Sequence, residues 1–145
     1  MDNAQIARGV MEELFGRGNL AFVDQNFERT YRGHDTLLGE FGTDQLKQEV
    51  QMYRTAFPDL SVKVDELISA ADKVLIRWSA RGTNTGSFLG RPPTGRKMQV
   101  QGISVITFGN GKIVEDYTQW EALRMLQDLG IAPSISLSGA QAPGT

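Results

Sequence analysis

A chain of 145 residues with 40% apolar composition is long enough for one domain with a real hydrophobic core. Its formal charge of −2, with Lys and Arg scattered, offers no basic stripe for a phosphate backbone and argues against a nucleic-acid partner. The absence of cysteine excludes disulfides, thiolate nucleophiles and cysteine-bearing metal sites.

Near the start, Ile6, Val10 and Leu14 recur every four positions with Ala7 and Met11 beside them, which predicts an amphipathic helix over residues 2–16. Asp2 is its expected N-cap, with Gln5 at the capping-box position. There is no basic start followed by an apolar block, as a secretion signal would have. No apolar run reaches membrane-spanning length either, so a cytoplasmic location without a membrane partner is expected. Gly16 and Gly18 interrupt the pattern, and Asn19 is placed to cap a second short helix through Leu20, Phe22, Val23 and Phe27. His34, the single histidine, then follows Tyr31-Arg32-Gly33 in what reads as a loop. A third helix begins at Thr43, carries Leu46, Val50, Tyr53 and Phe57 on one face with a charged, solvated face opposite, and stops at Pro58.

Beyond Pro58 the period changes to two, in runs around Leu60-Val62-Val64, Val74-Ile76-Trp78, Met98 to Phe108 and Lys112 to Trp120. Helices first and turn-linked strands afterwards predict an α+β fold with an antiparallel sheet. Phe108-Gly109-Asn110-Gly111-Lys112 suits a three-residue hairpin loop that sets Phe108 opposite Lys112, Ser104 opposite Asp116 and Gly102 opposite Thr118. A last helix over residues 121–129 carries Leu123, Leu126 and Leu129 and ends at Gly130. The Ser/Gly/Ala/Pro tail over residues 132–145 is expected to be disordered, leaving one domain over residues 1–131.

Alternation along the last strand puts Val114, Asp116, Thr118 and Trp120 on one face and Ile113, Glu115, Tyr117 and Gln119 on the other. The Asp116 face is the candidate pocket wall. An enclosed carboxylate resists ionisation, which moves its pKa toward the range useful for proton transfer at neutral pH. Asp116 is therefore the candidate catalytic acid/base; the alternative is a rim aspartate paired with a Lys or Arg. Ser104 and Thr118 are candidates to hold an oxygen on which charge develops, and His34 and Trp120 to shape and orient the substrate. Trp78 reads first as core, and a single histidine in a polar loop, as His34 is, reads first as solvated or hydrogen-bonded. Gly82, Gly86, Gly90 and Gly95, around Pro92 and Pro93, lack dinucleotide or P-loop spacing and read as a rim loop. No metal site is expected, because one histidine allows no multi-histidine cluster and no acidic pattern matches a calcium loop.

Several separated motifs occur in a characteristic order: Ala56-Phe57-Pro58-Asp59-Leu60, Arg77-Trp78, Gly82-Thr83-Asn84-Thr85-Gly86, Pro93-Thr94-Gly95-Arg96, Gly111-Lys112-Ile113-Val114-Glu115 and Gln127-Asp128-Leu129-Gly130. In this the chain resembles the SnoaL-like polyketide cyclases, or ester cyclases, nearly as far as Gly130. The resemblance implies the cone-shaped α+β barrel of the nuclear transport factor two-like superfamily, with N-terminal helices packed in a strongly curved antiparallel sheet. It also implies a pocket between helices and sheet, a homodimer, and ring closure by an aspartate acid/base without a cofactor. Aligned through Gly111 to Glu115, the cyclase aspartate falls at Thr118 and its histidine partner at Ser104, so this chain carries neither; Asp116 lies one alternation away on the same predicted face. The expected function is a cofactor-independent enzyme acting on a small apolar or polycyclic carbonyl compound by cyclisation, isomerisation or hydration. The alternative is a non-catalytic module of the same fold that binds a small ligand or dimerises.

Overall fold

Asp2 caps the first helix as expected: its carboxylate accepts from the Gln5 backbone N–H at 2.8 Å, and the Gln5 side-chain oxygen accepts from the Asp2 N–H at 2.9 Å. The computed structural model describes residues 1–135; residues 136–145 of the expected tail lie outside the described residues. Helix α1 (Asn3–Gly9) continues into a π-helical stretch (Val10–Phe15), closed by a bond from the Gly16 N–H to the Met11 carbonyl five residues back. Such wide turns recur at functional sites, and Val10, Met11 and Phe15 on this one all line the central cavity. Helix α2 (Ala21–Asn26) has no side-chain cap; Asn19 contributes only its backbone carbonyl, to the Phe22 N–H at 3.1 Å.

Strand β1 (Phe27–Asp35) and the short β2 (Gly39–Phe41) occupy the segment expected to end a helix and form a loop. Phe27 thus opens a strand, and His34 stands in one. Only Phe27, Tyr31 and Gly33 of β1 are buried, so the segment lacks the apolar alternation that marks a strand in sequence. Helix α3 (Thr43–Ala56) begins and ends as predicted, with Phe57 leaving helical geometry before Pro58. Strands β3 (Ser61–Ala70), β4 (Lys73–Thr83), β5 (Lys97–Gly109) and β6 (Lys112–Trp120) match the four alternating runs, and helix α4 (Ala122–Asp128) follows.

The six strands form one sheet in the order β2-β1-β6-β5-β4-β3, whose edge strands do not meet. Pairing is antiparallel except between β1 and β6, which run parallel, so the sheet is mixed and not wholly antiparallel as the sequence suggested. A parallel pair needs a long connection, here the whole chain between Asp35 and Lys112, and therefore leaves no hairpin signal.

The β5–β6 turn is one residue tighter than expected. Asn110 and Gly111 both have positive φ, 52° and 80°, and make a two-residue turn that pairs Gly109 with Lys112. A bulge follows, with Phe108 opposite Ile113 but Thr107 opposite Glu115, leaving Val114 as the extra residue. Turn and bulge together shift the register by two. Ser104 faces Thr118, Gly102 faces Trp120 and Ile106 faces Asp116, in place of the pairings expected. The bulge also brings Ile113 into the core instead of leaving it on the outer face.

The core comprises two clusters. One joins α1, the π-helical stretch, α2 and the first half of α3 to β1, β4, β5 and β6 through Leu14, Val23, Val50, Ile76, Ile106 and Ile113. The other joins the end of α3 to α4 through Phe57, Phe88, Val100, Met125 and Leu129. The glycine-rich connection over residues 84–96 is fastened to α3 by Asn84, which is 1% exposed. Its amide donates to the carbonyls of Ala56 at 3.1 Å and Gly86 at 2.7 Å, and its oxygen accepts from the Thr94 N–H and hydroxyl at 3.0 and 2.9 Å. Gly86 is packed so closely that a Cβ there would lie 1.8 Å from the Thr55 carbonyl oxygen. Among the described residues no helix is long and apolar enough to cross a membrane.

Candidate functional site

A cavity of about 100 Å³ opens between the helices and the inner face of the sheet. Its walls come from the π-helical stretch (Met11, Phe15), from α3 (Leu46, Glu49, Tyr53) and from the sheet (Tyr31, Asp35, Trp78, Ser104, Asp116, Thr118, Trp120), with Met125 of α4 at one end. The sheet residues point inward because each lies on the even or odd set that its strand turns toward the helices.

On β6, Asp116 and Thr118 are two residues apart and share this face. The register sets Ser104 directly opposite Thr118, with their hydroxyl oxygens 2.8 Å apart. The Trp78 indole N–H donates to Ser104 Oγ at 3.1 Å, and Thr118 Oγ1 donates to Asp116 Oδ1 at 3.3 Å. Since Thr118 spends its proton on Asp116, it accepts from Ser104, and the chain runs Trp78 to Ser104 to Thr118 to Asp116 with every hydroxyl both donating and accepting. On the other side, the Tyr31 hydroxyl donates to Asp116 Oδ2. Gly33 makes this approach possible: it pairs with Asp116, and a Cβ there would lie 2.4 Å from Tyr31 Oη.

Enclosure pushes the Asp116 carboxyl up to about 6; the bonds from Tyr31 and Thr118 hold it down, the charge of Asp35 adds to the rise, and His34 opposes it. Its remaining exposure is partial, as suits a carboxylate lining a pocket. Glu49 is 6% exposed and is held well above the ordinary carboxyl range by burial first and then by the charges of Asp35 and Asp116. Burial first, and the nearby carboxylates second, push the phenols of Tyr31 and Tyr53 far upward, so both are donors at any working pH. Asp35 Oδ1 accepts from the backbone N–H groups of Leu37 and Leu38 at 2.8 and 3.2 Å, which fixes it at the end of β1, and the Trp120 indole N–H reaches it at 3.4 Å.

Four of the five residues singled out from sequence therefore meet: Asp116, Ser104, Thr118 and Trp120 all line the cavity. His34 does not. It sits on the other face of β1, stacked on Tyr117 with ring centroids 4.0 Å apart, its Nε2 3.1 Å from Glu115 Oε2. Its place in a strand, one residue out of phase with Tyr31, Gly33 and Asp35, explains the separation. Trp78, read first as core, both packs on the core and lines the cavity. The glycine-rich connection is absent from the lining residues; its Phe88 packs instead behind Tyr53, with ring centroids 6.0 Å apart.

Sequence reasoning missed Tyr31, Asp35, Glu49 and Tyr53. Glu49 carried a usable signal: Leu46, Glu49, Val50 and Tyr53 fall at i, i+3, i+4 and i+7, so the glutamate interrupts the apolar stripe and does not belong to the solvated face. Among the described residues no group of three or more His, Asp or Glu side chains is arranged to hold a metal ion.

Residues 5–129 match the SnoaL-like polyketide cyclase family. The chain belongs to that family. No curated protein matches it. Among solved structures, a candidate SnoaL-like polyketide cyclase from Jannaschia sp. CCS1 is similar with a TM-score of 0.81 at 21% identity, over 90% of this chain and 93% of the other. AclR, a candidate hydroxylase from Streptomyces galilaeus, gives 0.79 at 22% identity over 92% and 83%. Wild-type IdmH, a candidate polyketide cyclase from Streptomyces antibioticus, gives 0.76 at 25% identity over 87% and 96%. The α+β fold of helices against a curved, unclosed six-stranded sheet is thus that of the SnoaL-like proteins. The two positions where the family resemblance puts the cyclases' aspartate and histidine, Thr118 and Ser104, are the cross-strand hydroxyl pair of this cavity.

Proposed function

We propose that this protein is an acid/base enzyme acting on a small carbonyl compound, with Asp116 moving the proton and no group needed beyond its own side chains. The observation that carries this reading is the Asp116 carboxyl: enclosed in a largely apolar cavity, bonded from both sides by Tyr31 and Thr118, and raised to about 6. At pH 7 such a group is mostly ionised yet close enough to neutrality to return the proton it takes. Asp116 removes a proton from the carbon beside the carbonyl, and the electron pair moves into an enolate. The protonated carboxyl then gives the proton back. Return to a different carbon is isomerisation; delivery to the alkoxide formed when the enolate attacks a second carbonyl is aldol ring closure. Tyr31 and Thr118 fix the carboxylate by two bonds, while Trp78 and Trp120 supply flat apolar walls for the ligand.

Exchange of carbon-bound protons in deuterated water, followed by NMR over a panel of aryl ketones and aryl 1,3-diketones, tests the reading without a known product. Asp116→Asn should lower the exchange rate at least about a hundredfold while preserving the fold. Exchange at the wild-type rate in that variant removes Asp116 from the role. A second reading, a ligand-binding protein without turnover, is favoured by the hydroxyls at Ser104 and Thr118 where the resemblance puts an acid/base pair; binding with no exchange in the wild type would select it.

A further inference from the structure

Two side chains one turn apart on α3, Glu49 and Tyr53, face the cavity and take no part in the chain of bonds that ends on Asp116. Tyr53 is 8% exposed, and its hydroxyl is the buried side-chain polar atom that has no hydrogen-bond partner among the described residues. A buried hydroxyl left without a partner costs stability, so it calls for an explanation in function. The surroundings decide what kind of partner fits. The Tyr53 ring is fixed edge-on against Trp120, with centroids 5.9 Å apart, and backed by Phe88, so the hydroxyl is held by packing. Its phenol stays protonated and has a proton to give. Burial and the charges of Asp35 and Asp116 push the neighbouring Glu49 toward its neutral form, which weakens the negative charge that α3 presents to an incoming oxygen. Among the described residues no Lys, Arg or His lines the cavity to act as an alternative anchor for that oxygen.

We propose that Tyr53 Oη is the donor that grips the ligand's carbonyl oxygen, directing the ligand's carbonyl toward α3 and its acidic C–H toward Asp116 on β6. The ligand is accordingly a compound with an accepting oxygen, a carbonyl in this reading, and not a hydrocarbon. Its orientation follows from two fixed points on facing walls, a donor on the helix and an acceptor on the sheet. The catalytic consequence, a bond from Tyr53 that strengthens as charge gathers on the oxygen, rests on the proton transfer proposed for Asp116; the binding consequence does not.

Acetophenone and α-methylstyrene, which share one shape but differ in C=O against C=CH2, separate the two. Titrations followed on the indole N–H signals of Trp78 and Trp120 give both affinities. Wild type should bind acetophenone about three- to tenfold more tightly, the usual worth of one neutral hydrogen bond. Tyr53→Phe, which keeps the ring and deletes only the unpartnered hydroxyl, should melt no lower than wild type, bind α-methylstyrene at least as well and lose the preference. Asp116→Asn should keep the preference whether or not it abolishes proton exchange. Equal affinity of wild type for the two probes, or a preference that survives in Tyr53→Phe, overturns the inference. A preference lost in Tyr53→Phe together with no exchange by wild type would sink the enzyme reading and leave Tyr53 as the binding donor.

Discussion

Asp116 should leave a mark on stability as well as on turnover, with a sign fixed by its environment. Its ordinary value is 3.8, and the cavity raises it to about 6. Folding therefore favours the protonated form. Below about pH 4 the group is neutral in both folded and unfolded chains and carries no penalty. Between about pH 4 and 6 the unfolded chain ionises first, and the folded state loses ground; from about pH 7 the loss is complete. A rise of 2.2 (6 − 3.8) corresponds to about 3 kcal/mol at 1.36 kcal/mol per pKa unit, or roughly 10 °C of melting temperature for a chain of this length. Asp116→Asn removes the titration while its amide oxygen still accepts from Tyr31. Urea unfolding of both proteins at intervals from pH 4 to 8 isolates the effect, because every other titrating surface group is common to the two. The difference, wild type minus variant, should fall by about 2 kcal/mol between pH 4 and 6, the rest of the loss lying below pH 4 or close above 6, and should be level from about pH 7. Parallel pH profiles for the two proteins would refute the claim that the cavity disfavours the Asp116 charge.

The surrounding bonds make further predictions. Thr118→Val, close in shape, removes the donor to Asp116 Oδ1, so the Asp116 midpoint should move above about 6 in a carbon-detected NMR titration; an unmoved midpoint would disconnect Thr118 from the carboxylate. Gly33→Ala puts a Cβ 2.4 Å from Tyr31 Oη and 2.6 Å from the Phe41 ring. It should cost about 1–3 kcal/mol in urea unfolding and raise the Asp116 midpoint by displacing the Tyr31 hydroxyl, whereas a wild-type midpoint would show that Tyr31 keeps its bond. Asn84→Ala deletes the four bonds that fasten the 84–96 connection and should cost about 2–4 kcal/mol. It should leave the Asp116 midpoint in place, since Asn84 does not line the cavity; a moved midpoint would mean that the connection shapes the site.

The parts of this fold that could be read in the sequence are those whose inward positions are apolar. Helix α1 with its capping box, α3 with its proline stop and the four strands after Pro58 all turn Val, Ile, Leu, Met or aromatic residues toward the core at the spacing their geometry demands, β3 burying its Val62, Val64 and Leu67 only in part. Strand β1 was illegible for the opposite reason. Its inward positions are Phe27, Tyr31, Gly33 and Asp35, because it forms the floor of the cavity, and its outward positions are charged, so the segment resembles a loop. Glu49 was misplaced by the same logic, as a charged residue assigned to the solvated face. The residues that build the site broke the patterns that reveal the fold.

The β5–β6 hairpin shows how little separates a right residue from a right geometry. Sequence alternation put Asp116, Thr118 and Trp120 on one face, and they share it, yet the neighbours expected for them were wrong by two positions. With the looser turn Asp116 would have faced Ser104. The two-residue turn at Asn110-Gly111 and the bulge at Val114 instead give Ser104 to Thr118, and Asp116 to Ile106 on one side and Gly33 on the other. That shift determines the chemistry available. Paired with Ser104, the carboxylate would sit beside Trp78 and Trp120 with a hydroxyl to satisfy it. In its actual place it meets the Tyr31 phenol, and the Ser104–Thr118 hydroxyls become the link between it and Trp78. Thr118 and Asp116 are two residues apart on β6, about 7 Å along a strand. If Asp116 performs the proton transfer, a ligand with the same hold on the two tryptophans must carry its acidic C–H about that much farther toward Tyr31 than one served by a base at position 118. The walls there include Tyr31, Phe27, Phe41 and Ile106, all packed in the core, so the reacting carbon would sit among apolar side chains, where a carboxylate is poorly hydrated and its basicity raised.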